Sequence, residues 1–414
     1  MARRLYRFFS PIVPMTTGTA TYFDKVLRRV LSLNVIEKSD IEVVIDSKAI
    51  GDGYPTHYHG VRVRDYREIP RVVGENETWF LFLANNDFHG YVHEIIDSLR
   101  KIAGGRVISI VHEPSNYMLL RHLSYNNKQD YSSDRLVKGL NTQFGDRGKR
   151  LLDDADKGLV DNIFNHVVLA QNGLYHSSDE IWTHSRFAAE VLRTENRGGP
   201  ESARYRVYAH PKDDLSRHDI GDKESQPLFR IGIFGWISLA KRVREILVGL
   251  RLALDRLPSG AAKHIELIVV GKLPNDPNYD VISASNFLAL SKNVRFLGYQ
   301  PDEEFERLVT TCNLIYNLRF PSCGETSGTI NLAQGTGARV VKTRYQAMNE
   351  EPAHEAMTFL PHFEAFNIAS SICSNFEKWK LGLWNIRNEN PQHMQIAPVE
   401  YGVLAEIFSA TTAA

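Results

Sequence analysis

The sequence predicts an α/β protein of two domains, each built on a parallel sheet. Three observations carry that reading. Short apolar runs alternate with longer helix-periodic segments along nearly the whole chain, the pattern of repeated strand–helix–strand units. At 414 residues the chain exceeds one ordinary core. A polar stretch, DLSRHDIGDKESQP (Asp214 to Pro227), holds almost nothing that packs and separates two such series. The domains are therefore expected at 1–213 and 228–385, joined by a linker at 214–227.

In the first half the expected strands are LYRFFSPIV, IEVVID, TWFLFLA, RVISIVHE and DEIWTHS. Several end in polar or small residues, as strands do where their C-termini open onto a site. TYFDKVLRRVLSL (Thr21 to Leu33) is helix-periodic, and Ser185 reads as the N-cap of a helix RFAAEVLRTE. LSYNNKQDYSSDRLVKGLNTQFGDRGKR (Leu123 to Arg150) reads as an inserted mobile surface loop, or as a lid or acceptor-recognition segment. The second half repeats the alternation: FRIGIFG, a helix KRVREILVGLRLALDRL, IELIVVG, NVRFLGY, CNLIYNL and ARVVKT. No short constant period is present, which argues against solenoids and propellers.

The totals narrow the function classes. Apolar content of 43%, charged content of 24% and zero net charge describe a soluble globular protein with no global field toward nucleic acid. Cys312, Cys323 and Cys373 form an odd, scattered set without a CxxC pair, which suits a reducing cytoplasm. No apolar run is long enough to span a bilayer. Lys25, Arg28 and Arg29, with Arg3, Arg4 and Arg7 nearby in sequence, leave open a peripheral contact of a basic face with the inner membrane surface. The plainer reading of the opening residues is a first strand with a basic flank.

One stretch concentrates the chemistry: FPSCGETSGTINLAQGTGARVV, residues 320–341. It lacks the lysine of a phosphate-binding G-x-x-x-x-G-K-[ST] loop, and Ser327 in ETSGT lacks the first glycine of a nucleophile turn. No G-x-G-x-x-G follows the first strand of either half, which weakens a nicotinamide-dependent oxidoreductase. What remains is a strand, a loop with Arg319 and Glu325, and a helix starting near Ser327 or Gly328. Free amides and a dipole at a helix start favour phosphate, and a nearby carboxylate accepts from hydroxyls. A sugar nucleotide presents both groups.

These residues resemble the retaining GT-B glycosyltransferases of glycosyltransferase family 4. The second half is similar to them in order through IGIFGWISLAKRVREIL, IELIVVGKL, NVRFLGYQPDEEFERLVTTCNLIYNLRFPSCGETSG and GTGARVVKT. LRFPSCGETSG resembles the L-R-x-P-x-x-G-E-x-S-G of a bacterial polysaccharide-assembly branch. SPIVPMTTGTATYFDKVL, LFLANNDFHGYVHEII, ISIVHEP and DEIWTHS extend the likeness into the first half.

The resemblance implies a GT-B fold, two Rossmann-like parallel-sheet domains facing a cleft, with helices at 386–414 packing back on the first. It implies that Lys241 reaches the donor diphosphate and that Glu325 accepts from sugar hydroxyls. Gly235, Trp236, Arg319, Thr326, Ser327, Gly328 and Thr329 would bind the donor, Gly271, Lys272, Gly298 and Tyr299 would line the nucleoside, and Gly18 and Thr19 would approach its phosphates. His112 would be a cleft residue in the catalytic set, and Asn85, Asn86 and His89 would face the acceptor. The partners implied are a nucleotide-diphosphate sugar and a glycan or lipid-linked saccharide, with no cofactor or metal and no nucleic acid. His89 and His93 stand at metal-ligand spacing, but no third ligand is evident and H-E-x-x-H is absent; His57 and His59 read as a loop or strand edge. Two departures stand out: Trp236 replaces an arginine, and Asn331 and Leu332 occupy the place of a second glutamate. A phosphorylase, a sugar-nucleotide epimerase and a non-catalytic sugar-nucleotide-binding partner are the alternatives.

Overall fold

Continuous apolar runs become strands covered on both faces, because only a parallel sheet between helices buries every side chain of such a run. The computed structural model describes residues 4–384 apart from 52, 127–129, 162, 172–173, 196–202, 209, 211–222, 224 and 335. The helices expected at 386–414, Arg3 and most of the expected linker lie outside the described residues. Two compact units divide the chain. The first holds the described residues through His210 together with Cys323–Thr326, and the second holds those from Lys223 to Ser322 and from Ser327 onward.

The strands of the first unit are β1 (Leu5–Phe9), β2 (Ile41–Ile45), β3 (His57–Tyr58), β4 (Val61–Asp65), β5 (Val72–Val73), β6 (Glu77–Leu83), β7 (Arg100–Lys101), β8 (Arg106–Val111), β9 (Glu180–Thr183) and β10 (Arg204–Val207). Eight form one sheet in the order β10-β9-β8-β6-β1-β2-β4-β3, antiparallel only at β3–β4. β5 and β7 pair separately. On one face Phe8 stacks on Phe80 at 4.7 Å beneath Phe23, Val26 and Leu27 of the helix Gly18–Ser32. The opposite face buries Trp79 and Leu81 under Val92, Ile95 and Ile96 of the helix Gly90–Ser98. Ser185 caps the helix Arg186–Glu195 through its Oγ, which accepts from the Ala188 amide at 3.0 Å.

The segment 123–150 is not a loop. Its described residues belong to the helices Tyr117–Asn126 and Asp130–Phe144, to the short 3-10 turn Gly145–Arg147 and to the start of Gly148–Asp156. Leu136 and Leu140, one turn apart, are fully buried with Tyr117, Leu120, Val168 and Ala170. That small core holds the helices down, and the polar residues around it form their solvated faces. The basic face expected near the N-terminus is also depleted. Arg7 donates to Glu42 and Glu77, both at 2.8 Å, and Arg28 donates to Asp24 at 2.7 Å. Among the described residues no helix is long and apolar enough to cross a membrane.

The second unit contains β11 (Phe229–Phe234), β12 (Ile265–Val270), β13 (Val294–Gly298), β14 (Leu314–Asn317), β15 (Arg339–Thr343) and β16 (Glu355–Met357). They form one all-parallel sheet in the order β13-β12-β11-β14-β15-β16. Ile231, Ile233, Leu267 and Val269 pack under the helices Val243–Arg256 and Glu364–Lys380. Phe234, Ile268, Val270 and Ile315 face the other way, toward Asp302–Thr310 and Gly328–Ala333. Lys223, placed in the linker by composition, is instead buried here. Its carbonyl accepts from Asn313 Nδ2 and Trp379 Nε1, both at 3.0 Å, and its ammonium donates to the Thr310 carbonyl.

Candidate active site

In the second unit the ends of four parallel strands meet. The chain leaving β11 is tied to the end of β12 by Gly235 N–H to the Val270 carbonyl at 3.0 Å and Ile237 N–H to the Lys272 carbonyl at 3.1 Å. Gly271 N–H reaches the Gly298 carbonyl at 2.7 Å, which ties in β13. Gly271 sits at φ 144°, and a Cβ there would lie 1.9 Å from the Gly235 oxygen. Only glycine fits so close a backbone approach, so Gly271 joins the loops rather than presenting a side chain to a ligand. Trp236 and Tyr299 stand 60% and 57% exposed beside these turns, and the Lys272 ammonium lies over the Trp236 ring at 5.1 Å.

Lys241 is the chemically distinctive residue of this region. Only 3% of it is exposed, and its ammonium donates to the Phe234 carbonyl at 2.7 Å. A Cβ on Gly235 would meet Lys241 Nζ at 3.3 Å and Thr329 Oγ1 at 4.0 Å. The structure thus brings Gly235, Lys241 and Thr329 together.

The helix Gly328–Ala333 begins at Ser327, as the glycine–hydroxyl turn predicts. One expectation fails there. The Ser327 amide does not face outward toward sugar or phosphate; it donates to Glu351 Oε1 at 3.1 Å. Ser327 Oγ accepts from Asn317 Nδ2 at 2.7 Å, so both polar groups of Ser327 are used in packing. Burial pushes the Glu351 carboxyl up to about 7. Gly328 keeps open space around it, and the Arg319 amide donates to Thr343 Oγ1 at 3.0 Å. Asn331, at the place of the second glutamate, donates to the Ser327 carbonyl at 3.0 Å, and Leu332 is buried.

The first unit includes the loop Cys323–Thr326. Gly324, at φ 87°, would place a Cβ 2.7 Å from the Pro114 ring and so requires glycine. Glu325 is half-buried and accepts from the Cys323 amide at 2.8 Å. Cys323 Sγ lies 3.4 Å from His166 Nδ1. Ligand atoms of Glu113, Cys323 and Glu325 all fall within 4.8 Å of one another, the one group among the described residues that could converge on a metal ion. Thr326 Oγ1 is bonded to His210 Nε2 at 2.7 Å, so its hydroxyl is engaged within the first unit.

His112 follows β8 directly and is one of three clustered histidines. His184 follows β9, and His210 comes three residues after β10. Tyr22 meets the three rings edge-on at 4.7, 5.1 and 5.4 Å. Burial, reinforced by His184 and His210, holds His112 well below the ordinary imidazole range, and burial sets His184 at about 4.

His89 does not face an acceptor. It is fully buried, its Nδ1 reaches the Phe82 carbonyl at 2.8 Å, and its Nε2 reaches Thr19 Oγ1 at 2.7 Å. The carbonyl fixes the proton on Nδ1, so Nε2 accepts from the Thr19 hydroxyl. Thr19 thereby anchors the helix Gly18–Ser32, while Gly18 opens it with free space around its Cα. Asn86 Oδ1 accepts from the Phe88 amide at 3.2 Å and caps the turn before His89. His57 lies on the edge strand β3, and His59 Nε2 sits 2.6 Å from Asp24 Oδ1.

No protein-family model and no curated protein matches the sequence. Solved structures match along the whole chain. A structure of Anabaena Alr3699/HepE in complex with UDP-glucose superposes with a TM-score of 0.59 at 13% identity, covering 99% of this chain and 100% of that one. WaaG, a glycosyltransferase involved in lipopolysaccharide biosynthesis, gives 0.56 at 11% identity, with coverage of 98% and 100%. Sucrose-phosphate synthase from Thermosynechococcus elongatus gives 0.54 at 11%, with coverage of 99% and 100%. The chain has the GT-B fold.

In this GT-B chain the predicted residues fall into two groups. Gly235, Trp236, Lys241, Lys272, Gly298, Tyr299 and Thr329 gather at strand ends in the second unit, and His112 and Glu325 stand at loops of the first. Thr19, His89 and the Ser327 amide are used up in packing. Tyr22 and His184 lie inside stretches that carry the resemblance, TATYFDKVL and DEIWTHS, but are given no role by it, and His166 and His210 lie outside them. The available signal for one of them is position, since His184 directly follows EIWT, the run that becomes β9. A cavity of about 310 Å³, lined by Arg121, Phe164 and Asn165 among others, contains none of the predicted residues.

Proposed function

We propose that the chain is a retaining glycosyltransferase. It moves a sugar from a nucleoside diphosphate to a hydroxyl of a glycan or lipid-linked saccharide, in the cytoplasm or at the inner membrane face, for surface polysaccharide. The observation that carries the reading is the buried Lys241 ammonium at the end of β11, beside Gly235 and Thr329. A fixed positive charge at the C-terminal edge of a parallel sheet suits a diphosphate. The GT-B fold and the UDP-glucose bound in HepE support the same reading.

In the reaction the bond from the anomeric carbon to the phosphate oxygen breaks, and the acceptor oxygen bonds to that carbon on the same face. The acceptor proton passes to the departing phosphate, so no protein nucleophile is assigned. Lys241 stabilises the negative charge growing on the leaving oxygen, Glu325 accepts from sugar hydroxyls, and His112 binds a hydroxyl in the catalytic set. Trp236, in place of an arginine, favours the non-catalytic alternative; the Lys272 ammonium over its ring returns a cation to that position. A transfer assay with a panel of sugar nucleotides decides between them. The wild type is expected to release nucleoside diphosphate and form an α-linked product from an α-linked donor. Lys241→Ala is expected to lower kcat by about 10²–10³, the scale of losing one charge-stabilising donor. An unchanged kcat removes Lys241 from the mechanism.

A further inference from the structure

The three histidines of the first unit differ in how their ring nitrogens are used. Val111 pairs with Thr183 and Thr183 with Val207, so β8, β9 and β10 end side by side. His112 and His184 are the next residues on their strands, and their rings lie 5.0 Å apart. His210, 4.4 Å from His184, spends Nε2 on Thr326. His184 is only 6% exposed, and its Nδ1 faces the Tyr208 carbonyl at 2.9 Å. A carbonyl can only accept, so Nδ1 carries the proton and Nε2 is a bare lone pair. No described residue meets His184 Nε2, nor His112 Nε2. What sets these two apart from other buried polar atoms without a partner is their place, side by side on adjacent strand ends.

We propose that His184, together with His112, forms a subsite for the hydroxyls of a neutral saccharide. The naming of a saccharide rests on the transferase reading given above. The chemistry selects for hydroxyl donors. A neutral imidazole with its Nε2 bare accepts O–H, whereas phosphate at neutral pH offers mainly lone pairs and would face another lone pair. Tyr22 crosses both histidines edge-on, and Phe82 lies 6.3 Å from the His112 ring. Aromatic rings beside hydrogen-bonding groups suit the mixed C–H and O–H surface of a sugar. His184 is thus a binding residue that confers specificity, placed at the end of β9.

The test uses the full chain labelled with 15N in its histidines, titrated with methyl glycosides of glucose, galactose and mannose and, separately, with inorganic phosphate. At least one glycoside is expected to shift the His184 Nε2 resonance saturably, with His112 following and phosphate leaving both in place. His184→Phe is expected to abolish the His112 response, and His184→Gln, which keeps an acceptor, to retain part of it. Thermal melting of each variant checks that it is folded. Resonances that no glycoside moves, or that phosphate moves more than any glycoside, overturn the subsite. Titration with UDP, GDP and dTDP runs in parallel. Nucleotide binding without a glycoside response refutes the subsite alone, and absence of both refutes the transferase reading as well.

Discussion

At Glu351 a carboxylate distant in sequence shapes the start of the candidate donor helix. Its Oε1 holds the Ser327 amide, and burial raises its carboxyl to about 7 from the ordinary 4.5. The folded chain therefore keeps a proton that the unfolded chain releases, so this group's contribution to stability falls as pH rises from 4.5 to 7. The loss is about 3 kcal/mol at most. Glu351→Gln retains the acceptor for Ser327 and removes the ionisation. Thermal melting should show the variant gaining on the wild type across that window; parallel curves would contradict the assignment. Ser327 was legible as an N-cap because ETSGT announces one locally. Glu351 was not, because its role depends on a contact across 24 residues.

Among the elements, the helices that replace the expected loop at 123–150 show where composition misleads. Asn, Ser, Asp and Lys dominate the segment, yet Leu136 and Leu140 stand one turn apart and fill a core with Tyr117 and Leu120. Leu140→Ala should cost about 2–5 kcal/mol, as core leucine truncations do, measured by urea unfolding. A silent substitution would restore the loop reading. The β-strands were easier to read. β11 and β12 are largely apolar runs, each broken by one charged residue (Arg230, Glu266) and closed by glycine, and both appear nearly as the sequence predicts. β4 and β10 were missed, since VRVRD and RYRV alternate charged with apolar residues; β10 is one edge of the sheet and β4 lies next to the opposite edge. Lys241 was readable through its neighbours GWISLAK, but its burial against Phe234 was not.

The molecule as a whole carries several histidines that are buried neutral. Burial sets His89 and His184 at about 4 and His93 at about 3, and holds His112 and His210 well below the usual range. The unfolded chain protonates these groups from about pH 6.5 downward and the folded chain does not, so stability falls as pH drops from 6.5 toward 4. Glu351 pulls the other way but is outnumbered. The melting temperature should fall across this interval, and more steeply in Glu351→Gln; a flat profile would show the histidines to be solvated. The central claim is that the second unit holds a nucleoside diphosphate sugar through Lys241. Its most direct test is calorimetric titration of the wild type and Lys241→Ala with UDP-, GDP- and dTDP-glucose. At least one donor should bind the wild type with one-to-one stoichiometry, and the variant should bind it about tenfold more weakly, roughly 1.4 kcal/mol. Failure of all three donors to bind the wild type, or equal affinity in the variant, would contradict it.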